Sequence, residues 1–167
     1  MPTVGQAERD ARKLLESWWD TAAKDYPLPV NPRRIALGLG IRVEVVPLPP
    51  DESGKIVIPP DGVAVISLNS WDNENRRRFT CAHEVGHYLR REASGAGYRT
   101  FVDHRDVLAG LGSDPEEIYA NQFAAALLMP AHLVQRWHPR FGPEELARRF
   151  GTSTQAMKLR LRNLRLA

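Results

Sequence analysis

His83 and His87 stand four residues apart, with Glu84 between them, in a stretch whose apolar residues recur at helical spacing. On a helix that spacing puts both imidazoles on one face, about one turn apart, where they can grip a single metal ion. Glu84 is rotated off that face, so it can hold and deprotonate a water beside the metal instead of binding the metal itself. An amphipathic helix with two surface histidines is the plain alternative. What separates the two is a third ligand, which a second packed element has to bring.

The rest of the pattern says what that element could be. Phe79, Ala82, Gly86, Leu89 and Ala93 form a core-facing stripe, giving a helix from Asn69 or Ser70 to about Ala93. Gly86 inside it costs about 1 kcal/mol relative to Ala, so close packing of two helices should need its small size. Residues 6–24 read as a helix with Leu14, Leu15, Trp18, Trp19 and Ala22 along one stripe, and Asn31-Pro32 starts a short helix that Gly40 ends. Arg42–Val46 alternates as a strand stopped by Pro47, Pro49 and Pro50. Lys55–Ile58 and Val63–Leu68 flank Pro59-Pro60-Asp61-Gly62, the chemistry of a β-hairpin. Residues 94–113 read as a long loop. A helix then opens at Ser113 or Asp114 and runs to Met129, before shorter helices at about 131–137, 143–150 and 153–165.

Size and composition fit an ordinary globular domain: 167 residues, 43% hydrophobic and 26% charged. The longest apolar run, Phe123–Met129, is too short to span a bilayer, and the first ten residues show no signal-peptide core. A single cysteine, Cys81, excludes an internal disulfide framework and favours a cytoplasmic setting; by its position it is a small buried residue rather than a ligand. The net charge of +3 is uneven, since residues 136–167 hold eight of the 23 Lys and Arg but two of the 20 Asp and Glu. Helix, tight turn and helix over 143–159 resemble half of a helix-turn-helix, with Lys158, Arg160, Arg162 and Arg165 as possible phosphate contacts. Leucines 159, 161, 164 and 166 argue for packing instead, so DNA contact is not the expected role of this tail. Arg76-Arg77-Arg78 reads as a solvated helix start.

Zinc needs three protein ligands here. A third histidine at position 93 is excluded, because that position is Ala93 and position 90 is Arg90. Glu117, about thirty residues on at a helix start, fits, with Asn121 one turn along to hydrogen-bond a histidine ligand from behind. Asp114-x-x-Glu117 is equally a capping box in which Glu117 only satisfies the helix start. Glu116 and His104 are competing ligands. Tyr98, His104 and Tyr119 are candidate donors to a developing oxyanion.

Two segments carry a family resemblance. Arg78-Phe79-Thr80-Cys81-Ala82-His83-Glu84-Val85-Gly86-His87-Tyr88-Leu89 and Glu117-Ile118-Tyr119-Ala120-Asn121-Gln122-Phe123-Ala124-Ala125-Ala126-Leu127-Leu128-Met129-Pro130 resemble the ImmA/IrrE family of bacterial metallopeptidases. The resemblance implies His83, His87 and Glu117 as metal ligands and a gluzincin-like core, in which a strand near the helix, Val63–Leu68, pairs with an extended substrate peptide. It also implies a protein substrate, a helix-turn-helix repressor or similar regulator cleaved in a stress response or in prophage or mobile-element induction.

The expectation is therefore an α+β protein, mostly helical around a small three-stranded β-sheet, with a zincin-like two-helix metal site. Residues 1–135 would form the metallopeptidase core and residues 136–167 a basic helical extension packed on it. The activity expected is zinc-dependent endopeptidase (manganese being the other metal considered) with Glu84 as base, acting in the cytoplasm and away from membranes. The other class considered is a non-catalytic metal-containing regulator or toxin–antitoxin-type binding protein.

Overall fold

A computed structural model describes residues 4–18, 27–95, 99–104 and 114–167. In chain order the elements are α1 (Val4–Trp18), α2 (Pro32–Gly38), β1 (Arg42–Val46), β2 (Glu52–Ile58), β3 (Val65–Asn69), α3 (Glu74–Ser94), β4 (Arg99–His104), α4 (Pro115–Leu128), α5 (Ala131–Trp137), α6 (Pro143–Phe150) and α7 (Thr154–Asn163). The three expected strands are all present, and the chain is α+β and mostly helical. β4 is an addition: it pairs antiparallel with β2 inside the stretch that reads as loop, giving the order β1-β3-β2-β4. Its apolar residues, Phe101 and Val102, are adjacent rather than alternate, so no two-residue period marks it in sequence.

β3 is the inner strand, parallel to β1 and antiparallel to β2, with Ile66 and Leu68 fully buried. The long link between β1 and β2 carries three prolines that cannot donate backbone hydrogen bonds. Buried Asn69, the last residue of β3, supplies the missing partners. Its amide nitrogen donates to the carbonyls of Glu52 at 2.7 Å and Pro49 at 3.2 Å, and its oxygen accepts from the Trp71 backbone at 3.1 Å. Asn69→Ala should therefore lower stability by about 2–3 kcal/mol, read as a fall in the urea midpoint with an unchanged m-value.

Asn69 thus belongs to the sheet, and α3 starts later than the periodicity suggests. Asn73 caps it, accepting from the Arg76 backbone at 2.9 Å. The three arginines at its start are not a solvated cluster. Arg76 donates to Ser53, Arg77 to the carbonyls of Ser70 and Asp72, and Arg78 to those of Val30 and Gly151. They fasten α3 to the sheet, to its own leading turn, and to the α6–α7 corner. Gly54 on β2 allows the close fit, because a Cβ there would lie 2.5 Å from Thr80 Cγ2 on α3.

On its other side α3 packs against α4, and α4 packs against α1. Phe123, Leu127, Leu128 and Met129 fill this layer, and Leu146, Phe150, Met157 and Leu161 of α6 and α7 join the same hydrophobic cluster. Arg160 is turned inward, not toward solvent. It is 6% exposed, and its guanidinium donates to the Met129 carbonyl at 3.0 Å and to both Glu8 oxygens at 2.8 and 2.9 Å. Lys158 pairs with Glu144 at 3.3 Å, while Glu145 takes Arg148 and Arg149. Much of the tail's positive charge is accordingly used within the fold.

Candidate metal centre

α3 and α4 bring one polar constellation together in an otherwise apolar layer. His83 and His87 are 0% and 2% exposed, and their rings meet edge to face at 4.7 Å. Their Nε2 atoms are 3.0 Å apart, a distance two nitrogens tolerate only with a proton or cation between them. Asp114 caps α4 by accepting from the Glu116 backbone at 2.9 Å. The cap therefore does not engage the Glu117 side chain, which reaches across to the histidines instead. Glu117 Oε2 lies 3.2 Å from His83 Nε2, and Oε1 lies 3.2 Å from His87 Nε2. Among the described residues these three form the one group of His, Cys, Asp or Glu side chains able to share an ion, with all three donor atoms within 4.8 Å of one another.

The donor set suits a tetrahedral cation. Ligands about 2.0–2.1 Å from a tetrahedral centre lie about 3.3–3.4 Å apart, close to the 3.0 and 3.2 Å separations here. Asn121, one turn beyond Glu117, places Oδ1 2.9 Å from His83 Nδ1. An amide oxygen only accepts, so Nδ1 is the nitrogen that donates to it, and Nε2 is the nitrogen turned toward Glu117. The electrostatics agree. Burial pushes the His87 imidazole below its ordinary pKa despite the pull of Glu117. Burial pushes Glu117 the other way, but its contacts with His83 and His87 outweigh that and hold it below the usual carboxylate range. A His87 imidazole biased toward its neutral form beside an ionised Glu117 carboxylate matches what metal binding requires of those two groups.

Glu84 follows His83 directly and is fully buried. Gly86, on the same turn, lies against α4: a Cβ there would lie 3.0 Å from Phe123 Cδ1 and 3.3 Å from Ala120 Cα. Alanine would regain about 1 kcal/mol of helix propensity against that crowding, so the clearer probe is Gly86→Val. It should cost about 2–3 kcal/mol of stability and, by forcing α3 from α4, weaken metal binding about ten-fold or more, checked by chelator competition.

Other expected residues fall elsewhere. Cys81 is fully buried, and burial pushes its thiol up to about 12, so it acts as a core residue. Tyr119 turns away from the histidines and donates its hydroxyl to Asp10 on α1 at 2.8 Å; burial, then that bond, raises its pKa. It stands two positions after Glu117, about 200° around the helix, which is why it misses the site. Tyr98 lies outside the described residues. His104 ends β4 opposite Glu52. Glu116 is not part of the three-residue group. β3 cannot pair with a substrate peptide, because a strand has two edges and β1 and β2 occupy both. Among the described strands only the outer edges of β1 and β4 are open.

Residues 36–162 match the peptidase family M78, the IrrE N-terminal-like domain. The radiation response metalloprotease IrrE of Deinococcus deserti is 37% identical over 102 residues, an alignment covering 53% of this chain and 32% of that protein. The chain thus spans about a third of that relative's length. A Mycobacterium tuberculosis transcriptional regulator has the same fold, with a TM-score of 0.60 at 20% identity over 93% of this chain and 46% of that one. No helix among the described residues is long and apolar enough to cross a membrane. The family match takes in α3, α4 and all three clustered side chains, and this chain belongs to the M78 family of IrrE-like peptidases.

Proposed function

We propose that this chain is a zinc-dependent endopeptidase that cleaves a protein regulator. The observation that carries the reading is the meeting of His83, His87 and Glu117 from two helices at 3.0–3.2 Å, with Glu84 next to one of them. The two Nε2 atoms and the Glu117 carboxylate would hold the ion, and Asn121 keeps His83 in the binding tautomer. Zinc so bound supplies a Lewis acid that acidifies water and draws charge from a carbonyl oxygen; manganese offers the same donors a similar role. Glu84 takes the proton of the attacking water and passes it to the leaving amine, so the broken peptide bond ends as a carboxylate and an amine. A further oxyanion donor from this chain would be Tyr98 or His104, since Tyr119 is committed to Asp10. We assign an extended substrate to the outer edge of β4, which is open among the described strands and belongs to a strand in contact with α3.

The sequence resemblance supports a helix-turn-helix repressor as substrate, in the cytoplasm and under stress or mobile-element induction. The name of the Deinococcus deserti relative, a radiation response metalloprotease, supports the stress-response part of this reading. A non-catalytic metal-holding regulator is the other reading, and Glu84 weighs against it, because a purely structural site has no use for a base beside a ligand. The deciding experiment mixes zinc-loaded protein with helix-turn-helix repressors from the same genome. Time-dependent cleavage that chelation stops and added zinc restores is expected. Stable binding without cleavage at any zinc level would favour the regulator.

A further inference from the structure

How Glu117 and Asn121 are aimed depends on how α4 is turned about its own axis. An oxygen about 6 Å from a helix axis moves about 2 Å when the helix rotates by about 20°, enough to break both 3.2 Å contacts to the histidines. The rotation is held from the far side. Tyr119 donates to Asp10 Oδ2 at 2.8 Å, and Gln6 fixes Asp10 by donating to Oδ1 at 2.8 Å. Arg90, three residues past His87 on α3, lies over the Tyr119 ring with its guanidinium carbon 4.9 Å from the centroid. On the next turn Phe123 stacks on Tyr119 at 6.1 Å and fills the contact with Gly86. One side chain therefore ties α1, α3 and α4 together within two residues of Glu117.

We infer that α1 is a working part of the metal centre: through Asp10 it holds Tyr119, with Arg90 on the ring face, and so fixes the rotation of α4 that points Glu117 and Asn121 at the histidines. Asp10, Tyr119 and Arg90 are positioning residues and do not touch the ion. α1 precedes the residues 36–162 on which the family match rests, so the match itself assigns it no role. The inference rests on reading His83, His87 and Glu117 as the metal site.

Zinc affinity, measured by competition with a chromophoric chelator and without any substrate, tests it. Tyr119→Phe keeps the ring, the stack and the Arg90 contact and removes only the hydroxyl. It should weaken zinc binding about ten-fold, as loss of a group that orients metal ligands commonly does. Asp10→Ala should match it, the double variant should lose no more, and Asp10→Asn, which keeps an accepting oxygen, should stay close to wild type. Asn69→Ala, destabilised at the sheet, should bind zinc normally and so separates positioning from general loss of stability. Wild-type affinity in Tyr119→Phe, or an equal loss in Asn69→Ala or Asp10→Asn, would overturn the inference while leaving the metal site standing. Failure of the wild-type chain to bind zinc would remove both.

Discussion

Glu84→Gln is expected to leave the protein folded and zinc-loaded while slowing peptide hydrolysis by about 10²–10⁴-fold, the usual contribution of a positioned general base. Glutamine matches glutamate in shape but cannot take a proton at neutral pH, so the variant removes one chemical step and little packing. Glu84 is fully buried, and glutamine fills the same space. The melting temperature should therefore stay close to wild type. The loss should appear in kcat with KM little changed, because Glu84 is proposed to act on the reacting water and not on the bound peptide. Metal analysis and initial rates on the same preparation check both halves. Unchanged turnover would remove Glu84 from the mechanism, and loss of zinc together with activity would make it a structural member of the site.

Glu117→Ala should have the opposite signature, with metal lost first and activity following from that. Protein zinc sites are worth about 10–16 kcal/mol, so dropping one of three ligands should cost about 4 kcal/mol, or about 10³-fold in affinity. Excess zinc should restore only part of the activity, because two histidines alone leave the ion poorly held. Together the two variants separate roles that sequence spacing only suggests: Glu84 for proton transfer, Glu117 for holding the ion.

The legible parts of this chain were those set by local chemistry. Asn31-Pro32, Asp114-Pro115 and the Gly-Thr-Ser turn at 151–153 mark helix boundaries by capping and fixed φ, and the helices lie where those signals put them. The shared face of the two histidines was legible because both lie on one long helix whose register fixes their direction. Glu117 remained ambiguous in sequence, since a capping box and a metal ligand use the same residue at the same place. Its reach across to His83 and His87, with Asp114 capping through Glu116, is a tertiary fact. β4 was hidden because an edge strand draws on its neighbour's open backbone and needs little pattern of its own. Asn69 and Arg160 were hidden for a related reason. A polar residue folded inward toward carbonyls 17 or 31 positions away has the same local context as one facing solvent.

The most direct test of the central claim is digestion of a proteome-derived peptide library in ¹⁸O-labelled water, with new termini identified by mass spectrometry. Zinc-loaded wild-type protein should produce new carboxyl ends, each carrying one ¹⁸O from the attacking water. Glu84→Gln at equal zinc content and chelated wild type should produce almost none. Equal cleavage by Glu84→Gln, or no new termini from zinc-loaded wild-type protein, would contradict the account.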